Sequence, residues 1–155
     1  MINMNLKYGV YVLMFLSMMF FVQCSKNEDE SNREEILSYI AAKNWQMEET
    51  ETGLFYVVEK EGTGGYPTLL STVKVHYRGY YLDDEEFDSS YRGGDPISFP
   101  LRNVIPGWQE GIPLFQKGGK GKLIVPSKLA YGSNPPAGIR KNAALVFEIV
   151  LIDFK

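Results

Sequence analysis

A single cysteine, Cys24, and a single histidine, His76, occur in 155 residues. One cysteine cannot close an internal disulfide, and one histidine beside it excludes a multi-His cluster or a Cys-rich zinc site. The same shortage leaves little scope for a Ser-His-Asp or Cys-His catalyst. Charge of one sign is lacking too. Sixteen Lys and Arg stand against nineteen Asp and Glu, a net charge of −3, so no general attraction to nucleic acid is expected. No apolar run reaches the roughly 20 residues of a spanning helix. Aromatics are plentiful: 14% of the chain, with ten Tyr and nine Phe. They must fill a core, a binding pocket or both. The length favours one domain, and no internal repeat is visible.

The longest apolar run, Tyr8 to Val22, follows Lys7. At about 15 residues after one positive charge it reads as the core of a secretory signal peptide spanning 1–23. It stops at Gln23-Cys24, and the chain turns polar at once. Phe21-Val22-Gln23-Cys24 resembles the lipobox of bacterial lipoproteins, with Gln23 where a small residue is usual. The resemblance implies cleavage before Cys24 and lipid attachment to it, anchoring the protein to the outer membrane of the cell envelope. An ordinary signal peptide and an uncleaved anchor helix are the alternatives. The stretch 24–33 is expected as the lipidated cysteine and a polar tether. Its Glu28-Asp29-Glu30 resembles a surface-export signal and reads equally as a solvated tether.

Ile36, Leu37, Ile40 and Ala41 recur at helical spacing and predict a short amphipathic helix over about 33–43. Residues 34–52 are this helix and a linker, and 53–155 the functional domain. Leu54 to Val58 predicts a strand opened by Gly53. Val73, Val75 and Tyr77 alternate with Lys74, His76 and Arg78, the period of a half-buried strand. His76 falls on the polar face and reads as structural or merely exposed. Ile97, Phe99 and Leu101 alternate again. Trp108 to Phe115 suits a small helix limited by Pro113. Leu123 to Val125 and Ala144 to Ile152 are strands, the last with Leu145, Phe147, Ile149 and Leu151 on one face. The sum is an α+β domain, an antiparallel sheet with a helix on one face.

Two stretches invite a functional reading and fail it. Lys117-Gly118-Gly119-Lys120-Gly121-Lys122 lacks the following Ser/Thr and the upstream glycine of a phosphate loop. Asp83-Asp84-Glu85-Glu86 lacks the alternating ligands, central Gly and terminal Glu of a calcium loop and reads as a hairpin turn. An enzyme built from this set works without nucleophile, metal or cofactor.

Four stretches carry a signal together: Val75-His76-Tyr77-Arg78-Gly79, Phe87-Asp88-Ser89-Ser90, Val104-Ile105-Pro106-Gly107-Trp108-Gln109-Glu110-Gly111, and Leu129-Ala130-Tyr131-Gly132 with Leu145-Val146-Phe147-Glu148. In this order they resemble the FKBP-type peptidyl-prolyl cis-trans isomerases, from about Gly53 to Ile152. The layout with a short N-terminal helix is similar to the macrophage infectivity potentiator branch, without room for its long dimerising helix. The resemblance implies an antiparallel sheet wrapped around a short helix, and rotation about X–Pro bonds of exported polypeptides by a monomer. A non-catalytic prolyl-peptide-binding chaperone or surface scaffold of the same fold is the alternative. It implies Trp108 as the floor under the proline ring, with Tyr77, Phe87, Phe99 and Phe147 as walls. Val104 and Ile105 form the rim, the Ile105 N–H and the Tyr131 hydroxyl donate to substrate carbonyls, and Asp88 accepts from Tyr77 or Arg92. Ile97 stands where Phe is frequent. Ile139 is a further contact, and an FK506-like macrolide a possible ligand. Asp84 replaces a usual glycine, and Ile139-Arg140-Lys141 replaces a usual Ile-Pro-Pro, so that the basic pair could favour acidic residues near the proline.

The chemistry agrees with so apolar a set. Rotation about an amide breaks no bond, yet its barrier is about 18–20 kcal/mol and X–Pro isomerisation takes tens of seconds or more. Resonance keeps the amide planar and places charge on its oxygen. An apolar pocket solvates that planar dipole poorly and favours the twisted state, each ~1.4 kcal/mol giving about tenfold in rate.

Overall fold

The computed structural model describes residues 28–155. The segment 1–23 expected as a signal peptide and Cys24 lie outside the described residues.

Helix α1 runs over 28–43. Residues 28–33, expected in the tether, are therefore helical. The helix is held by a polar contact that hydrophobic spacing cannot register. Asn32 is 5% exposed; its Oδ1 accepts the Ser127 N–H at 2.9 Å and its Nδ2 donates to the Asn142 carbonyl at 3.3 Å. The buried stripe is Asn32, Ile36, Tyr39 and the half-buried Ile40, spaced as one helical face. Leu37 and Ala41, expected on that face, are exposed. The helix ends where Asn44 takes φ +54°. The Trp45 N–H then reaches the Ile40 carbonyl and the Asn44 N–H that of Ala41, a Schellman closure.

Seven strands follow: β1 (Glu48–Glu49), β2 (Phe55–Lys60), β3 (Thr72–Tyr80), β4 (Glu86–Ser89), β5 (Ile97–Pro100), β6 (Lys120–Val125) and β7 (Leu145–Phe154). They form one antiparallel sheet ordered β1-β2-β6-β7-β3-β4, with β5 beside β3 on the same edge as β4. The expected α+β architecture is the observed one. The hairpin between β3 and β4 turns at Asp84, whose φ is +67°, a conformation that Asp tolerates better than most residues.

Period-two alternation gives the sheet two different faces. Leu54, Val73, Val75, Leu123, Val125, Leu145, Phe147, Ile149 and Leu151 are buried on the inner face. They pack around α2 (Pro106–Gly111), which continues as a 3-10 turn over Ile112–Leu114, so the helix ends ahead of Pro113. Pro106 takes the first helical position, where its missing N–H costs nothing. Phe55, Tyr80, Ile124 and Val146 point to the outer face and are covered by Ile36 and Tyr39 of α1.

Glycine decides how near α2 comes to the sheet. A Cβ on Gly107 would lie 2.3 Å from a methyl of Val125, and one on Gly111 2.5 Å from a methyl of Leu123. The two glycines, one turn apart, lay the helix flat against β6 and set Trp108 on the floor of the inner face.

Candidate functional site

Above α2 the inner face leaves a cavity of about 510 Å³ lined by Tyr77, Phe87, Asp88, Ile97, Phe99, Asn103, Val104, Ile105, Trp108, Tyr131 and Phe147. Every sequence-derived site residue of the domain is brought here except Ile139. Ile139 is half-buried but off the lining, because its loop is drawn toward the β3–β4 hairpin. The Tyr81 hydroxyl donates to the Gly138 carbonyl (3.2 Å) and accepts the Arg140 N–H (3.1 Å). The lining also includes Asn103, which sequence reading did not single out. It ends the 3-10 turn Leu101–Asn103, where no alternation marks an inward side chain.

Each wall follows from its strand. Tyr77 continues the Val73–Val75 row of β3, and Phe147 belongs to the buried odd-numbered row of β7. Gly79 pairs with Phe147 on one side and Asp88 on the other. A Cβ there would lie 2.7 Å from Phe87 Cζ and 3.0 Å from Phe147 Cε1, so the missing side chain is the space those two rings occupy. Around the Trp108 ring, the centroid of Phe147 lies at 5.0 Å, that of Tyr77 at 5.1 Å and that of Phe99 at 5.4 Å, the first two edge-on. Edge-to-face rings at these separations are in contact and attract one another. Phe87 meets Phe147 edge-on at 5.8 Å.

Trp108 is 6% exposed, and its indole N–H is buried without a hydrogen-bond partner. An unpaired buried donor costs about 1–3 kcal/mol. The rim is firmer. The Gln109 amide donates to the Val104 carbonyl at 2.7 Å, while the Ile105 carbonyl accepts the Trp108 and Gln109 N–H groups.

The polar lining residues are few: Asp88, the Tyr77 and Tyr131 hydroxyls and Asn103. Asp88 is exposed and accepts the Tyr77 hydroxyl and, at 2.8 Å, the Ser89 N–H. Of the two donors expected for Asp88, Tyr77 is the one used; Arg92 binds Glu86 instead. Burial, then the bond to Asp88, raises the Tyr77 phenol well above its ordinary pKa. Burial, then the negative charge of Asp88, raises Tyr131 too. Both hydroxyls are therefore protonated donors at neutral pH. Arg140, expected to be available to acidic substrate residues, is already engaged by Asp83 at 2.6 Å and by Glu85. His76 lies outside the cavity lining. Its Nδ1 is 3.0 Å from the Ser90 hydroxyl and its ring stacks on Tyr91 at 4.4 Å.

An antiparallel sheet curled over a short helix, with a ring of aromatics around that helix's tryptophan, defines an FKBP-type domain. The comparisons with known proteins agree. The FKBP_C family, FKBP-type peptidyl-prolyl cis-trans isomerase, matches residues 64–152, and the chain belongs to it. The FKBP-type peptidyl-prolyl cis-trans isomerase FkpA of Aeromonas hydrophila is 47% identical over 125 residues, 81% of this chain and 46% of the relative. The protein of the same name from Escherichia coli strain K12 is 46% identical over 114 residues, 74% of this chain and 42% of the relative. The chain thus spans less than half the length of these curated relatives. Among solved structures, FkpA from Escherichia coli superposes with a TM-score of 0.74 at 34% identity, covering 100% of this chain and 74% of that one. AtFKBP13 superposes with a TM-score of 0.67 at 30% identity, covering 71% of this chain and 99% of that one.

Proposed function

We propose that this chain is an active prolyl isomerase for exported polypeptides. The observation that carries the reading is the cavity: aromatic on its floor and walls, with few polar groups, and sized for a pyrrolidine ring with its neighbours. The proline rests on Trp108 between Tyr77, Phe99 and Phe147. The apolar walls solvate the planar amide poorly and the twisted one comparatively well. The Ile105 N–H and the Tyr131 hydroxyl donate to the carbonyls flanking the proline, so the chain is held on both sides of the bond that turns. No covalent step occurs, and the side chains only bind, orient and exclude water.

A protease-coupled assay on prolyl peptides tests this. The wild type is expected to accelerate isomerisation, and Trp108→Ala to lower kcat/KM at least tenfold, the loss of about 1.4 kcal/mol of transition-state stabilisation. Binding of the peptides without acceleration would show a prolyl-binding chaperone instead. The same cavity is proposed to admit an FK506-like macrolide, checked by loss of acceleration on adding it.

The finer placement rests on sequence. We infer that 1–23 is a signal peptide and that Cys24 carries lipid, tying the domain to the outer membrane. The short apolar run, the lipobox-like Phe21-Val22-Gln23-Cys24 and the abrupt polar turn after it support this. Radiolabelled palmitate should be incorporated by the wild type and not by Cys24→Ala. Equal label in both would refute the anchor.

A further inference from the structure

The loop 132–142 begins directly after Tyr131. Its feet are joined by the Asn142 N–H donating to the Gly132 carbonyl at 2.9 Å. Gly132 (φ +55°), Gly138 (φ +91°) and Asn142 (φ +54°) all take left-handed conformations. Pro135 and Pro136 stiffen the first half, whereas 138–141 contains no proline. A glycine-bearing stretch with several backbone conformations open to it needs an outside fastening to keep one.

Tyr81 supplies it. This side chain is 4% exposed. Its hydroxyl donates to the Gly138 carbonyl at 3.2 Å and accepts the Arg140 N–H at 3.1 Å, so one oxygen grips the loop at two points. The Arg140 guanidinium lies 4.1 Å above the Tyr81 ring and is held there by Asp83 and Glu85. The same ring packs against a cavity wall, with the Phe87 ring centroid 5.0 Å away. Tyr81 therefore touches a cavity wall and the cavity's neighbouring loop at once, while not itself lining the cavity.

We propose that Tyr81 is a positioning residue of the isomerase site, fastening the 132–142 loop to the Phe87 wall. Through that loop it fixes Tyr131 and the shape of the mouth through which residues flanking the proline enter. This rests on the isomerase reading above. The phenol is the main fastening: ion pairs as exposed as those of Arg140 contribute little, whereas the two phenol bonds are made by a buried side chain. Arg140 is the secondary strap.

Tyr81→Phe separates the two contacts, because it keeps the ring on Phe87 and deletes only the oxygen. Amide hydrogen exchange over 138–142 is expected to accelerate at least about fivefold in Tyr81→Phe, with β3 and β7 unchanged. KM for a prolyl peptide is expected to rise roughly three- to tenfold with kcat within about twofold. Arg140→Ala, at an exposed position, should move both readings in the same direction and by less. Unchanged loop exchange in Tyr81→Phe overturns the fastening, and so does a larger effect in Arg140→Ala. Faster exchange with an unchanged KM overturns the positioning role. A wild type without isomerase activity refutes the isomerase reading and with it the catalytic part of this one, while the exchange data still decide the fastening. Should Tyr81→Phe fail to fold, Tyr81→Met, which also deletes the oxygen and keeps apolar bulk against Phe87, takes its place, and unchanged loop exchange in it overturns the proposal.

Discussion

The two faces of the sheet use the same strands in opposite ways. On β7, Phe147 turns inward to the cavity and its neighbour Val146 turns outward beneath α1. Where α1 crosses it, the outer face is packed, although an open groove of about 730 Å³ lined by Glu34, Tyr39, Tyr81 and Arg140 runs beside the helix. Ile36 is fully buried, Asn32 is bonded through both ends of its amide, and the Lys122 ammonium sits 2.9 Å from both Glu59 and Glu148. The inner face stays open over its helix: rings stand edge-on around unfilled space, and the buried Trp108 N–H has no partner. Each face also holds a tyrosine–aspartate bond, Tyr39 to Asp84 at 2.6 Å outside and Tyr77 to Asp88 inside. The contrast is physical. The hollow forgoes packing and leaves the Trp108 N–H unpaired, whereas α1 closes over the opposite face.

Truncation on each face breaks this comparison most forcefully. Ile36→Ala leaves a void under α1 and is expected to cost about 2–5 kcal/mol, read as a shift in the urea midpoint. The kcat/KM per folded molecule should stay at the wild-type value. Phe99→Ala deletes a larger side chain, yet Phe99 is half-buried and borders space already empty. Its expected cost is smaller, roughly 1–2 kcal/mol, while kcat/KM falls at least about tenfold. Equal activity losses in the two variants would show that the faces are not separable.

How far the two faces were legible in the sequence differs in the same way. Alternation along β3 and β7 exposes the inner face, because aromatic and branched residues at every second position leave a periodic trace. The Gly107–Trp108 pair and Phe87-Asp88 mark the cavity by family resemblance. The outer face rests on less periodic choices. Asn32 is polar and buried, so the start of α1 reads as tether. Leu37 is apolar and 38% exposed, so it rotates the expected face. Tyr81 and Ile139 lie between the two cases. The alternation that puts Tyr77 inside says nothing of a phenol reaching a loop some sixty positions later, and the resulting pull on 138–140 is what takes Ile139 off the lining. Contacts set by one hydrogen bond across a long sequence separation leave no local pattern.

The two tyrosine–aspartate bonds give the finest test, since one chemical change can be made on each face. Burial, followed by the bond to aspartate, raises the phenols of Tyr39 and Tyr77 well above their ordinary value. A group whose folded pKa lies above its unfolded one contributes stability that is complete below the unfolded value, about 10 for tyrosine, and is lost as pH rises beyond it. Both tyrosines therefore steepen the alkaline limb of the stability curve, and the outer bond also enters the acid limb, because Lys43 and then Tyr39 hold the Asp84 carboxyl below its ordinary pKa. Tyr39→Phe and Tyr77→Phe should each flatten the fall above about pH 10 in a series of thermal melts. At pH 7 each should cost about 1 kcal/mol, a typical hydrogen-bond loss. Asp84 keeps the Lys43 ammonium at 2.7 Å and Asp88 keeps the Ser89 N–H, so neither carboxylate is left bare. The separation lies in catalysis. Tyr39→Phe should leave kcat/KM unchanged, whereas Tyr77→Phe alters a cavity wall and frees Asp88 to swing, lowering kcat/KM about two- to fivefold. A flat alkaline limb in the wild type would refute the shared behaviour of the two phenols. Equal activity in both variants would show that the inner bond, like the outer one, only holds the fold.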